Sequence, residues 1–223
     1  MTIQIIARQW KYAQTLADTT FTMSALYLLV EPKHPRQIAY LRSSGLKSTT
    51  SNIVSKILFG VGPTTLSSKQ QQSKALLAIF AEHLVRLTGR NAEDTLEFLM
   101  AIISDASEPE LAKAVLKATP LWNAMFRLLK KSAKPTPADD QGAAPQDPEI
   151  EKKHRLRIIS SIVGTSANIL HDASFKHRRE CEPLVRIWAN ENLFGGLEET
   201  IDILVTIPGM TSAFLAFPYN LIN

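Results

Sequence analysis

A chain of 223 residues, 45% hydrophobic and 21% charged, has the make-up of an ordinary globular protein and can bury a full core, as one domain or two small ones. Its single cysteine, Cys181, excludes an internal disulfide and any cysteine-rich zinc site, so nothing requires an oxidising compartment. The net charge of +4 is uneven: residues 1–131 hold 16 Lys and Arg against 9 Asp and Glu, 132–148 hold 1 against 3, and 149–223 hold 8 against 9.

Residues 3–17 place Ile3, Ile5, Ile6, Trp10, Ala13 and Leu16 at helical spacing. Arg8 and Lys11 without an acid would also suit a presequence, but an ordinary first helix is the better reading. Asp18 to Thr20 reads as the cap of a second helix, Phe21 to Val30, buried on most sides and ended by Pro32 and Pro35. A short helix over 35–43, a break at Gly45 and a helix from Leu46 to Leu58 follow. A long helix over 68–88 carries Leu76, Leu77, Ile79, Phe80, Leu84, Val85 and Leu87 at interior spacing. Gly89 should terminate it, with Asn91 capping the next. Helix 92–105 turns Leu96, Leu99, Met100 and Ile103 inward, and helix 109–118 opens on a proline and stops at Thr119 and Pro120. Another helix fills 120–131.

Residues 132–148 contain four prolines and no large apolar side chain, a composition that cannot offset the entropy of ordering and predicts a disordered insertion. Beyond it lie a long helix to about His171, a helix over 178–190, another over 193–205 and a last short one around 210–216. No segment alternates with a period of two, so the fold class is all-α. The apolar run Phe21–Val30 is shorter than the ~18 residues of a membrane span. Membrane insertion is not expected, and a cytoplasmic or nuclear location is the default.

The helix starts at Leu46, Leu121 and Leu193 recur with offsets of 75 and 72. At the first offset Leu41 falls on Leu116 and Phe21 on Leu96; at the second, Trp188 falls on Leu116 and Leu170 on Phe98. The shared unit is a longer helix, a short helix, a break and a medium helix, with 68–88 as an extra element. Units of this kind stack because none can bury its face alone.

On these residues Glu93–Ser132 resembles one armadillo (ARM) unit read from its third helix. Asp94 to Ser107 is similar to the family's groove-lining third helix, Glu110 to Ala118 to the first helix of the next unit, and Pro120 to Leu129 to the second. The resemblance implies a right-handed ARM/HEAT-like α-solenoid, running through 1–131 and resuming over 149–223 around the insertion at 132–148. It also implies a protein or peptide partner. ARM proteins that bind extended peptides carry a Trp and an Asn about a turn apart on the third helix. Here the equivalent helices offer Tyr27 and Phe98 without Asn, and Asn168 without Trp. There is a looser similarity to the helical repeat region of fungal proteins that bear a MYND zinc finger. The finger itself needs a cysteine cluster that one Cys cannot supply.

Motifs for catalysis are missing. His171 and His177 are too far apart, without a third ligand, to read as a metal pair. Glu198, Glu199 and Asp202 read as solubilising acids, and Gly60 and Gly62 lack the lysine of a phosphate loop. Gly195 and Gly196 fall inside a helix, where small residues permit close packing. Cys181 sits between Glu180 and Glu182, which disfavour a thiolate. Two basic clusters remain, 152–157 and 176–179, the first with Glu149 and Glu151 placed to pair with Lys153 and Arg155. The expectation is a non-enzymatic interaction module with no catalytic residue, metal or cofactor. Contact is expected through Tyr27, Glu97 and Asn168 on third-type helices and through Lys176, Arg178 and Arg179. A nucleic-acid-binding repeat using the basic clusters is the alternative.

Overall fold

The computed structural model describes residues 2–22, 66–103, 109–134, 148–176, 178–191 and 193–205. The helices are α1 (Thr2–Tyr12), α2 (Leu66–Arg86), α3 (Gly89–Ile103), α4 (Pro109–Val115), α5 (Thr119–Ala133), α6 (Pro148–Lys176), α7 (Arg178–Asn190) and α8 (Leu193–Leu204). Residues 16–22 are also helical, and the described residues contain no strand. The chain is all-α. No helix among the described residues is long and apolar enough to cross a membrane.

α5 lies at the centre. It packs against α2 on one side and α8 on the other, and also against α6 and α7. α6 in turn lies along α3 and touches α7 and α8, while α4 rests on α2 and α3. That position explains why α5 buries so much of itself: Leu121, Trp122, Ala124, Met125, Phe126, Leu128 and Leu129 are all in the core. Pro120 starts it without sacrificing a hydrogen bond, since first-turn N–H groups have no intrahelical acceptor. Trp122 stacks with Phe126 at 5.7 Å, and both meet Trp188 of α7, at 5.0 and 6.4 Å between ring centres. The Trp122 indole N–H donates to the Val115 carbonyl at 2.9 Å, which satisfies the end of α4. Gly196 of α8 sits against Leu129, where an added Cβ would meet Cδ2 at 3.4 Å. The expectation of close packing at this glycine holds.

α1 is attached mainly by one residue. Trp10 is fully buried in a box of Phe80, His83 and Phe98, at 4.8, 5.0 and 5.8 Å between ring centres. Arg86 adds hydrogen bonds from Nη1 to the carbonyls of Ala13 and Gln14, at 3.3 and 3.2 Å. Of the other residues assigned to this face, Ala13 is buried and Ile6 half-buried against the core, whereas Ile5 and Leu16 are exposed.

Several boundaries move. The first helix stops at Tyr12, and the next begins at Leu16, capped by Thr15 and not by Asp18. The Thr15 hydroxyl accepts the Asp18 N–H at 3.0 Å and donates to the Asp18 carboxylate at 2.7 Å. Phe21, assigned to a mostly buried helix, is exposed. Gly89 does break the chain, at φ +54°, a conformation strained for side chains with a Cβ. The new helix starts at that glycine, so Asn91 lies inside the first turn instead of capping it. Val85 is 62% exposed because it lies a third of a turn off the buried line through Leu77, Phe80 and Leu84. α5 continues through Ala133 and α6 opens at Pro148, so helix takes up both ends of the predicted insertion; 135–147 lie outside the described residues. The helices expected over 35–43, 46–58 and 210–216 lie outside them too, as does Tyr27.

Candidate functional site

The two basic clusters have different fates. Within 152–157 His154, Arg155 and Arg157 are engaged within the fold, whereas Lys152 and Lys153 are exposed. Glu93 of α3 is buried, its side chain 4% exposed, and takes a contact from each side: His154 Nδ1 at 2.6 Å and Arg157 Nη1 at 2.7 Å. A carboxylate so removed from water needs both partners, and together they fasten α6 to α3. Arg155 turns the other way. Its Nε donates to the Ser132 carbonyl at 2.9 Å and its Nη2 to the Ala133 carbonyl at 3.2 Å, capping the carboxyl end of α5. Lys152 stands 4.0 Å from Glu149. The expected pairing of Glu149 and Glu151 with Lys153 and Arg155 is therefore corrected for Arg155, because unpaired helix carbonyls compete for its donors.

The second cluster stays on the surface. α6 runs on past His171 to Lys176, and Arg178 opens α7. Lys176 pairs with Asp172 one turn back at 3.0 Å, a solvated contact worth little. Arg178 and Arg179 are exposed and have no ion pair among the described residues. Beside them Arg179, Glu182, Pro183, Arg186, Ile187 and Asn190 line a shallow groove of about 420 Å³. Pro183 lies inside α7 and has no N–H to offer the Arg179 carbonyl, which loosens the first turn. Arg186 is paired with Glu182 at 2.7 Å, leaving Arg179 as the groove's available cation.

A stripe on α6 leads into this turn. Asn168, His171 and Phe175 recur at helical spacing and are all exposed. Phe175, at 77% exposure, holds its ring edge-on to His171 at 4.8 Å. Of the residues expected from the sequence, Asn168, Lys176, Arg178 and Arg179 thus fall along one end of α6 and the start of α7. Glu97 is half-buried on α3 and is not part of this surface. Phe175 was missed because the helix was ended near His171, which hid its place two turns after Asn168. The signal was available in the spacing of Asn168, His171 and Phe175.

Cys181 is half-buried at the same end, its thiol pushed up by burial and by Glu180, against a smaller opposing effect of Arg178. Among the described residues no group of three or more His, Cys, Asp or Glu could hold a metal ion. His83 is brought down to about 4 by burial and by the nearby charge of Arg86, against an opposing hydrogen bond with the Ala13 backbone. It belongs to the α1 attachment and lies away from any groove described here. No protein-family model matches the chain, and neither a curated protein nor a solved structure matches it.

Proposed function

We propose that the chain is a non-enzymatic, armadillo-like helical-repeat module that binds an acidic peptide segment of a protein partner. The repeat reading draws support from two successions of packed helices, α2 to α5 to α8 and α3 to α6. In that reading α2, α5 and α8 are second helices, α3 and α6 third helices, and α4 and α7 the short first ones. Helix 66–86 then ceases to be an extra element and becomes the second helix of the unit that α3 completes. The offset of 72 between α5 and α8 has the same meaning, since these two helices touch.

The observation that carries the binding proposal is the run from Asn168 through Phe175 to Arg178 and Arg179. It offers an amide for a peptide backbone, an exposed ring, and guanidinium groups with no ion pair among the described residues, Arg179 lining a groove. The cluster at 152–157 supports a nucleic-acid surface poorly, because His154, Arg155 and Arg157 are engaged within the fold. The test is co-purification of partners with nuclease present, comparing the native chain with an Arg178→Glu, Arg179→Glu variant. Binding of fluorescent Asp- and Glu-rich peptides should fall at least tenfold in the variant and ease moderately with salt. Peptide binding unchanged by the double reversal would overturn the proposal. Steeply salt-dependent RNA or DNA binding in its place would favour a nucleic-acid repeat.

A further inference from the structure

A second surface feature lies on a different side of α6. The carboxyl end of α5, the first half of α6 and the end of α8 surround a half-open cavity of about 300 Å³. Its apolar wall is made by the half-buried Leu156 and Ile203, with the buried Ile159 behind them. The volume is at the small end of the roughly 300–1,000 Å³ of ligand pockets, which combine such walls with a few placed polar groups.

The polar groups here are Lys152, Arg155, Ser132 and Asp202. Arg155 is held rigidly by its two bonds to the carbonyls of Ser132 and Ala133, so its charge is fixed at the wall and offsets the negative end of α5. Lys152 is held loosely. Its only ion pair among the described residues is with Glu149 at 4.0 Å, and both side chains are well exposed. The remaining acid close by, Glu199, is occupied by Lys130 and Lys134 at 3.3 and 3.9 Å. Two cations therefore line the cavity against one carboxylate, with an ammonium at the mouth free to turn toward a ligand.

We propose that this cavity is a binding site for a small amphipathic carboxylate of medium-chain fatty-acid size. The hydrocarbon lies against Leu156 and Ile203, close to the buried Ile159, and the carboxylate meets Lys152 at the mouth. Asp202 acts against the anion and sets the polarity of the rim. An amine of the same chain length would meet Lys152 and Arg155 with like charge, and an alcohol would lack the ion pair. The site is independent of the peptide-binding reading, since its residues and those of the Asn168–Arg179 surface do not overlap.

The experiment is titration of the full chain, methyl-labelled at Ile and Leu, with octanoate, octanol and octylamine below their micelle concentrations. Octanoate should shift the methyl signals of Leu156, Ile159 and Ile203, and bind at least tenfold more tightly than the alcohol or the amine. Lys152→Ala, a change on an exposed side chain, should lower octanoate affinity about tenfold, and Asp202→Asn should leave it equal or tighter. Ile203→Trp, checked for helical content, fills the cavity and should abolish the shifts. No binding, equal binding of octanol and octanoate, shifts centred instead on exposed residues such as Ile5, Leu16 or Leu66, or indifference to Lys152→Ala would each overturn the proposal.

Discussion

Trp122 and Trp10 are both fully buried tryptophans, yet replacing each by Phe should have different costs, and the difference isolates one hydrogen bond. In Trp122→Phe the lost indole N–H removes its 2.9 Å bond to the Val115 carbonyl, which keeps only the 3.1 Å bond from the Ala118 N–H. Losing one such intramolecular hydrogen bond costs about 0.5–1.5 kcal/mol. Shrinking indole to phenyl opens a void of roughly 40 Å³, about 1 kcal/mol at ~24 cal/mol per Å³. Weakening the edge contact with Trp188, 5.0 Å away, removes part of the roughly 0.5–1.5 kcal/mol of an aromatic pair. The expected total is about 2.5 kcal/mol. Trp10→Phe removes a similar volume and weakens its edge contacts with Phe80, His83 and Phe98, but the Trp10 N–H has no hydrogen-bond partner among the described residues, so no hydrogen bond is lost. Its cost should be about 1.5 kcal/mol. Urea unfolding followed by circular dichroism at 222 nm measures both, with equal denaturant slopes required for comparison. If the two variants lose the same stability within about 0.5 kcal/mol, the assignment of the Val115 bond as a stabilising contact is wrong.

Three further outcomes are expected. His83 is held near 4 in the folded chain against an ordinary 6.5, so its contribution is complete above about pH 6.5 and declines as pH falls toward 4. The loss should total roughly 3 kcal/mol, and the pH dependence of native stability minus that of His83→Phe should show it; a flat difference over that range would rule it out. Glu93→Ala should cost about 2–4 kcal/mol, since it orphans contacts made inside the fold. Arg157→Ala should cost less, about 1–2 kcal/mol, because its own side chain is 54% exposed and Glu93 keeps its contact with His154, and chemical denaturation that ranked the two in the opposite order would contradict the burial argument. Gly164→Ala, with nothing within 4 Å of the added Cβ, should stabilise α6 by about 0.5–1 kcal/mol. Gly196→Leu should instead destabilise by displacing Leu129, as read from thermal midpoints.

Local periodicity determined the all-α class and the approximate position of every helix described here. It also picked out the buried lines of α2 to α5, because an amphipathic stripe is a property of neighbouring residues. The place of α5 at the centre was not legible: periodicity marked a helix over 120–131, but not which helices surround it. Pairing depends on which stripes meet across distant stretches, so α2 looked like an extra element until its contact with α5 and α3 was seen.

The clusters of charge were least legible from the chain. Residues 152–157 and 176–179 read alike as basic runs, and only tertiary structure separated them. One meets a buried carboxylate and the open end of a helix, which draw in His154, Arg155 and Arg157. The other meets solvent at a helix junction. A cation's availability is decided by what packs within a few ångströms of it, and that neighbour is usually distant in sequence: Glu93 lies 61 positions before His154.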